Sequence, residues 1–233
     1  MNNMATDRIY GRHPVLEALK ANARIRRILL VQGQQEGGII AEIIKLAAER
    51  SVPIERLQRA ALDRMVEAEA NHQGVAAELP PYRYHSVESI LARAKEKGEL
   101  PFLLVLDGIQ DVHNFGALLR TAEAAGVHGV LIPERRAVEV TPTVYKSSAG
   151  AVHYIPIAQV TNLTVTIKQL QQQNIWFAGL DMDGTQLHHK ANLGGALGIV
   201  VGAEGKGLSR LVAESCDFLI RLPMHGQIHS LNA

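Results

Sequence analysis

The stretch 102-FLLVLDGIQDVHNFGALLRTAEAAG-126 decides the fold. Its first six residues are nearly all apolar, without the alternation of a half-exposed strand, and they end on Asp107. A turn follows. From Phe115 the apolar residues Phe115, Leu118, Leu119, Ala122 and Ala125 recur at helical spacing. A buried strand running into an amphipathic helix is the building unit of a parallel sheet, because a parallel connection needs a crossover long enough to hold a helix. The pattern repeats downstream. Strands are predicted at 102–107, 128–133, 154–160, 175–180, 197–202 and 218–223, and helices at 115–125, 141–150, 162–173 and 207–214. This is an α/β domain with a mostly parallel sheet covered on both faces.

Upstream the alternation continues on a smaller scale. Helices are predicted at 14–21, 39–50 and 60–68, and strands at 26–32, 53–57 and 73–79. Pro80-Pro81 punctuates the chain, and 82–100 reads as a linker with a charged helix ending near Gly98. The expected division is residues 1–80 as a small α/β domain, 81–99 as linker and helix, and 100–233 as the larger domain.

Composition narrows the class. The 233 residues are 47% hydrophobic and 20% charged, enough apolar surface for a core and too much for disorder. No apolar run approaches the roughly 18 residues of a membrane span, and MNNMATDRIYGRH has no apolar signal core. Cys216 is the single cysteine, so no internal disulfide or cysteine-based zinc cluster is expected. The chain reads as cytoplasmic. Its net charge of +1 conceals a bias: residues 1–60 hold ten Lys/Arg against six Asp/Glu, whereas 99–233 hold nine against eleven. A basic head on a slightly acidic body suits a nucleic-acid-facing module, although a chance excess on a solvated surface gives the same figures.

Ligands of open α/β sheets bind beyond the carboxyl ends of the strands. Three loops follow predicted strands there. In the first, Asn114 is read as the cap of a helix beginning at Phe115, with Arg120 within two turns; a solvated Arg120 pairing with Glu123 is the plainer alternative. The second, 202-GAEGKGLS-209, brings backbone N–H groups within reach of a ligand, or is simply a glycine-rich turn. It is neither a Walker A loop, since Leu208 stands where lysine is required, nor a dinucleotide fingerprint. That absence argues against a nicotinamide-dependent oxidoreductase. The third is 222-LPMHGQIHSLNA-233. His188, His189, His225 and His229 lack partners at metal-site spacing, so no metal is expected.

In this order, Asn-x-Gly-x-x-x-Arg-Thr (114–121), Gly-Ala-Glu-Gly (202–205) and Leu-Pro-Met…Ser-Leu-Asn (222–232) resemble the three motifs of the SpoU/TrmH family, the SPOUT-class RNA ribose 2′-O-methyltransferases. Tyr10-Gly11-x-His13-x-Val15-x-Glu17-x-Leu19 and 72-HQGV-75 resemble the substrate-binding domain of the bacterial 23S rRNA guanosine 2′-O-methyltransferases. The resemblance implies an L30e-like RNA-binding head, a catalytic domain with a C-terminal trefoil knot, and a homodimer built through catalytic domains. It implies S-adenosylmethionine (AdoMet) as cofactor, held near Gly202, Leu222 and Leu231. It places Asn114, Arg120, Glu204, Ser230 and Asn232 around the reacting atoms. The implied substrate is a guanosine in the peptidyl-transferase loop of 23S rRNA, free or in an assembly intermediate. The alternatives are a tRNA or resistance-type rRNA ribose methyltransferase, or a truncated, non-catalytic RNA-binding protein.

The family gives Arg120 the task of activating the 2′-hydroxyl. Deprotonating any arginine at pH 7 costs roughly 7.5 kcal/mol, so phosphate binding and stabilisation of alkoxide charge suit the residue better. Two departures stand out. Val112 replaces a proline of the first motif, and Gln227-Ile228-His229 replaces a smaller, serine-rich stretch. Relatives also continue past Ser-Leu-Asn into a terminal helix, whereas this sequence stops at Ala233, an end that reads as short.

Overall fold

A computed structural model describes residues 7–66 and 71–226. The chain runs β1 (Asp7–Tyr10), α1 (Arg12–Lys20), β2 (Arg27–Val31), α2 (Ile39–Glu49), β3 (Ile54–Leu57), α3 (Arg59–Asp63) and β4 (Val75–Leu79). It continues through α4 (Val87–Glu96), β5 (Phe102–Asp107), α5 (Val112–Ala124), β6 (Gly129–Pro133), α6 (Pro142–Ser147) and β7 (Ile157–Val160). The last elements are α7 (Leu163–Gln171), β8 (Trp176–Leu180), β9 (Gln186–Leu187), β10 (Leu197–Gly202), α8 (Arg210–Ala213) and β11 (Phe218–Arg221). Among the described residues no helix is long and apolar enough to cross a membrane.

Two compact units emerge. The first combines residues up to Arg83 with Val140–Tyr154, and the second combines Tyr84–Glu139 with the chain from Ile155. The division drawn from sequence is contiguous, so it keeps 140–154 with the larger domain. In the fold, α6 packs on β1, and the Lys146 ammonium stands 5.7 Å from the centre of the Tyr10 ring.

The first unit is a four-stranded sheet in the order β1-β4-β2-β3, antiparallel except for β2 against β3. Arg8, Glu78 and Arg27 face one another across three strands, and Glu78 accepts from both arginines at 2.8–3.1 Å. Burial pushes the Glu78 carboxyl up, but the hydrogen bonds from Arg27 and Arg8 outweigh it and hold it below its ordinary value. β1 went unpredicted because Asp7-Arg8-Ile9-Tyr10 carries only one fully buried side chain, Ile9.

The second unit is a seven-stranded parallel sheet in the order β7-β6-β5-β10-β8-β11-β9. One face packs Leu103, Val105, Leu131, Phe177 and Val200 against Ile90 of α4, Leu163, Ile167 and Leu170 of α7, and Val212 of α8. The opposite face carries Ala178, Leu197 and Ile220 with Phe102, Leu180 and Ile199. β5 and β10 match their predicted limits, and β9 is a two-residue strand that no periodicity reveals. The expected C-terminal knot falls largely on residues 227–233, which lie outside the described residues.

Candidate active site

The chain leaves β5 and builds β6 and β7 to one side, then returns so that β10 inserts between β5 and β8. The order in which strands are added switches sides at this point, and open α/β sheets hold their ligands at such a switch, beyond the carboxyl ends of the strands, here β5 and β10. Asp107 and Gly202 end those strands in register with one another. The first two motifs begin here, one from each strand. The third begins where β11 ends, on the same edge of the same sheet.

The first motif differs from its sequence reading in one respect. Asp111, not Asn114, caps α5, and its carboxylate accepts from the N–H groups of His113 and Asn114 at 2.9 and 2.8 Å. The helix therefore begins at Val112. The valine that replaces a proline thus occupies the first helical position, where proline is well tolerated, rather than a flexible loop. Asp111 and Asn114 are both capping types. Relieved of capping, the Asn114 carboxamide donates through Nδ2 to Glu204 Oε2 at 2.9 Å, joining motifs 90 residues apart. Arg120 is exposed, six residues farther along α5, and the described residues give it neither an ion pair nor a hydrogen bond. The pairing with Glu123 is absent among them.

The second motif is a tight turn. The N–H of Gly207 donates to the Ala203 carbonyl at 2.8 Å, and that of Lys206 at 3.3 Å. A side chain on Gly202 would overlap the backbone of Gly207 and Leu208, so only glycine lets the loop fold back this closely. Asp107 ties down the far end by accepting from the Ser209 N–H at 2.7 Å. Glu204 and Gly205 direct N–H groups that have no acceptor among the described residues. Because Gly207 has a φ of 64° and belongs to the turn, α8 starts three residues later than its predicted limit.

Leu222 is half-buried just beyond β11. Ser230, Leu231 and Asn232 lie outside the described residues, as do Gln227 and His229. Sequence reasoning passed over Asp107, whose position as the last residue of a buried strand was the available signal. Cys216 is no nucleophile: burial first, then Asp217 and Asp107, pushes its thiol up to about 12. Among the described residues no cluster of three or more His, Cys, Asp or Glu could hold a metal ion.

Residues 101–233 match the model of the SpoU rRNA Methylase family, and residues 8–85 match that of RNA 2′-O ribose methyltransferase substrate binding. A Bacillus subtilis protein named as a TrmH family tRNA/rRNA methyltransferase is 40% identical over 227 residues, covering 97% of this chain and 90% of that protein. A Staphylococcus saprophyticus protein of the same description is 43% identical over 225 residues, covering 97% and 89%. The solved structure of the SpoU methyltransferase AviRb from Streptomyces viridochromogenes, in complex with AdoMet, aligns with a TM-score of 0.80 at 20% identity, covering 98% of this chain and 85% of that one. An AdoMet-bound rRNA methyltransferase from Sinorhizobium meliloti aligns at 0.78 and 20% identity, covering 97% and 82%. The structures share the fold, and the sequence relatives share the whole span of both units. This chain belongs to the SpoU rRNA methylase family, the RNA methyltransferases of the SpoU/TrmH class.

Proposed function

We propose that this protein methylates the ribose 2′-hydroxyl of a guanosine in the peptidyl-transferase loop of 23S rRNA, using AdoMet in the cytoplasm. The observation that carries the reading is the Asn114–Glu204 hydrogen bond, which joins the first two motifs at the mouth of the sheet. The residues present suit AdoMet. The N–H groups of Glu204 and Gly205, without acceptors among the described residues, offer backbone donors, Gly202 keeps the strand end free of side chain, and Leu222 offers an apolar wall. Leu231, outside the described residues, is assigned to the cofactor by the third motif alone. When bound, the cofactor supplies an electrophilic methyl group on a sulfonium.

The protein's own contribution is then mostly placement. Asn114 fixes the Glu204 carboxylate, and a carboxylate held in one orientation can position a ribose hydroxyl. Arg120, exposed and unpaired among the described residues, is free to bind the phosphate beside the target ribose and to stabilise charge developing on oxygen. Ser230 and Asn232 are assigned to orienting substrate and cofactor. A homodimer through the second unit accords with Trp176, Met182 and Leu211, each more than half exposed there. Light scattering after gel filtration reads that assembly directly.

The test is transfer of labelled methyl from AdoMet to full-length 23S rRNA and to bulk tRNA, with the modified position mapped by primer extension. A stop at a guanosine of the peptidyl-transferase loop is expected. Label confined to tRNA would overturn the assignment in favour of a tRNA ribose methyltransferase, and label on neither RNA would overturn methyl transfer to both classes.

A further inference from the structure

A polar hollow of about 620 Å³ opens in the first unit. Its size falls within the roughly 300–1,000 Å³ of small-ligand sites. Arg12, Gln32, Gln34, Arg59, Asn71 and Gln73 supply its polar lining, and no described carboxylate lines it. Several other cations of this unit pair with carboxylates. Arg8 and Arg27 pair with Glu78, Arg56 with Glu36 and Lys20 with Glu42. Among the described residues neither Arg12 nor Arg59 forms an ion pair with a carboxylate, and Arg12 Nε donates to the Gln73 carbonyl.

One wall of the hollow is preorganised. His72 is buried, accepts at Nδ1 from the Gly74 N–H at 2.9 Å and therefore carries its proton at Nε2, which donates to Asp63 at 2.7 Å. This anchors Gln73 and Gly74 in left-handed backbone, with φ of 51° and 81°. A side chain at Gly74 would overlap Gln34, so glycine admits Gln34 to the wall. Gln73 is held in turn: its Oε1 accepts from the Arg12 N–H at 3.0 Å, and its carbonyl accepts from Arg12 Nε and Gln34 Nε2, each at 3.4 Å. What remains unengaged among the described residues is the Arg59 guanidinium, the Asn71 carboxamide and Gln34 Oε1.

We propose that this hollow receives one unpaired nucleotide of the RNA substrate, its phosphate on Arg12 and Arg59 and its base edge on Gln34 and Asn71. The assignment rests on the reading of this protein as an RNA methyltransferase. Guanidinium groups match phosphate, and carboxamides match the paired donor and acceptor of a base edge. Bases in an A-form helix do not enter such a hollow, whereas splayed, single-stranded bases do.

The test uses the full chain and fluorescein-labelled heptamers, U7 and its variants with a central A, C or G, against a 14-base-pair RNA duplex. The heptamers are expected to bind at least about tenfold more tightly than the duplex, with a preference among central bases. R59A should weaken all four heptamers by about five- to tenfold and keep the preference, while N71A should reduce the preference to under about twofold. Both residues are exposed, and circular dichroism melting verifies folding. Variants that bind like the parent, or equal binding of heptamers and duplex, would overturn the proposal. So would free nucleoside monophosphates competing as strongly as heptamers, which would make the hollow a small-molecule site. AdoMet titration and methyl transfer run alongside. Normal transfer with unaffected variants removes the nucleotide site alone, whereas base discrimination without transfer removes the enzymatic reading and supports the site.

Discussion

Asn114 can touch Glu204 because Asp111 takes the cap. Two capping residues three positions apart leave the assignment ambiguous in sequence; the path of the chain out of β5 decides it, placing Val112 at the first helical position. The motif therefore singled out the asparagine that reaches Glu204, while the capping role read for it belongs to Asp111. The two residues have separable consequences. Asp111→Ala should lower stability by about 1 kcal/mol, the usual value of a lost cap, measured by urea unfolding. Asn114→Asp keeps shape but sets a second carboxylate against Glu204, in place of a 2.9 Å hydrogen bond. It should leave stability within about 1 kcal/mol yet reduce kcat/KM for methyl transfer by at least ~100-fold, from lost positioning and added repulsion. If Asn114→Asp retained near-parental turnover, the contact would be structural only. Arg120 gives a complementary readout. Its guanidinium plane, not only its charge, should matter for phosphate, so Arg120→Lys should lose most of the activity while AdoMet affinity, read by calorimetry, stays within about twofold.

At the scale of elements, legibility tracked burial. β5 and β10, buried on both faces, had the limits their apolar runs predict, and the glycines between β10 and α8 marked a tight turn at the strand's carboxyl end. β9 and the true start of α8 escaped because each depends on contacts made elsewhere: β9 on pairing with β11, and α8 on the Ala203–Gly207 turn. The close return of that turn onto Gly202 makes a sharp prediction. Gly202→Ala drives Cβ into the backbone of Gly207 and Leu208, where no flexible side chain can yield. The loop must shift. AdoMet binding by calorimetry should weaken at least ~10-fold, accompanied by about 2–4 kcal/mol of lost stability. Retained affinity would mean that the turn's close packing is irrelevant to the cofactor.

At the scale of the whole molecule, the least legible feature is that the first unit is discontinuous. Residues 140–154 lie between β6 and β7, where continuity of sequence assigns them to the larger domain, yet α6 packs on β1. No local pattern distinguishes a crossover that stays with its sheet from one that leaves it. The segment carries His153, whose ring meets that of Tyr145 at 4.9 Å between centroids, and whose buried Nε2 has no hydrogen-bond partner among the described residues. Burial pushes the imidazole down from 6.5 to about 4. The folded state thus disfavours the proton that the unfolded chain takes up below pH 6.5, so the unfolded state binds more protons between pH 6.5 and 4. Stability must fall as pH drops through that window, by up to about 3 kcal/mol. Glu78 acts lower still: its depressed carboxyl stabilises above the unfolded carboxylate range and loses that contribution only as pH falls through its folded value. The two can therefore be separated. Urea unfolding followed across pH 7 to 4 should show a decline that His153→Phe flattens, since phenylalanine keeps a ring against Tyr145 and takes no proton. Glu78→Gln should lower stability at pH 7 and leave that slope in place. An undiminished slope in His153→Phe would mean that His153 does not carry the acid-side loss and that other groups, such as His85, which burial also pushes down, do.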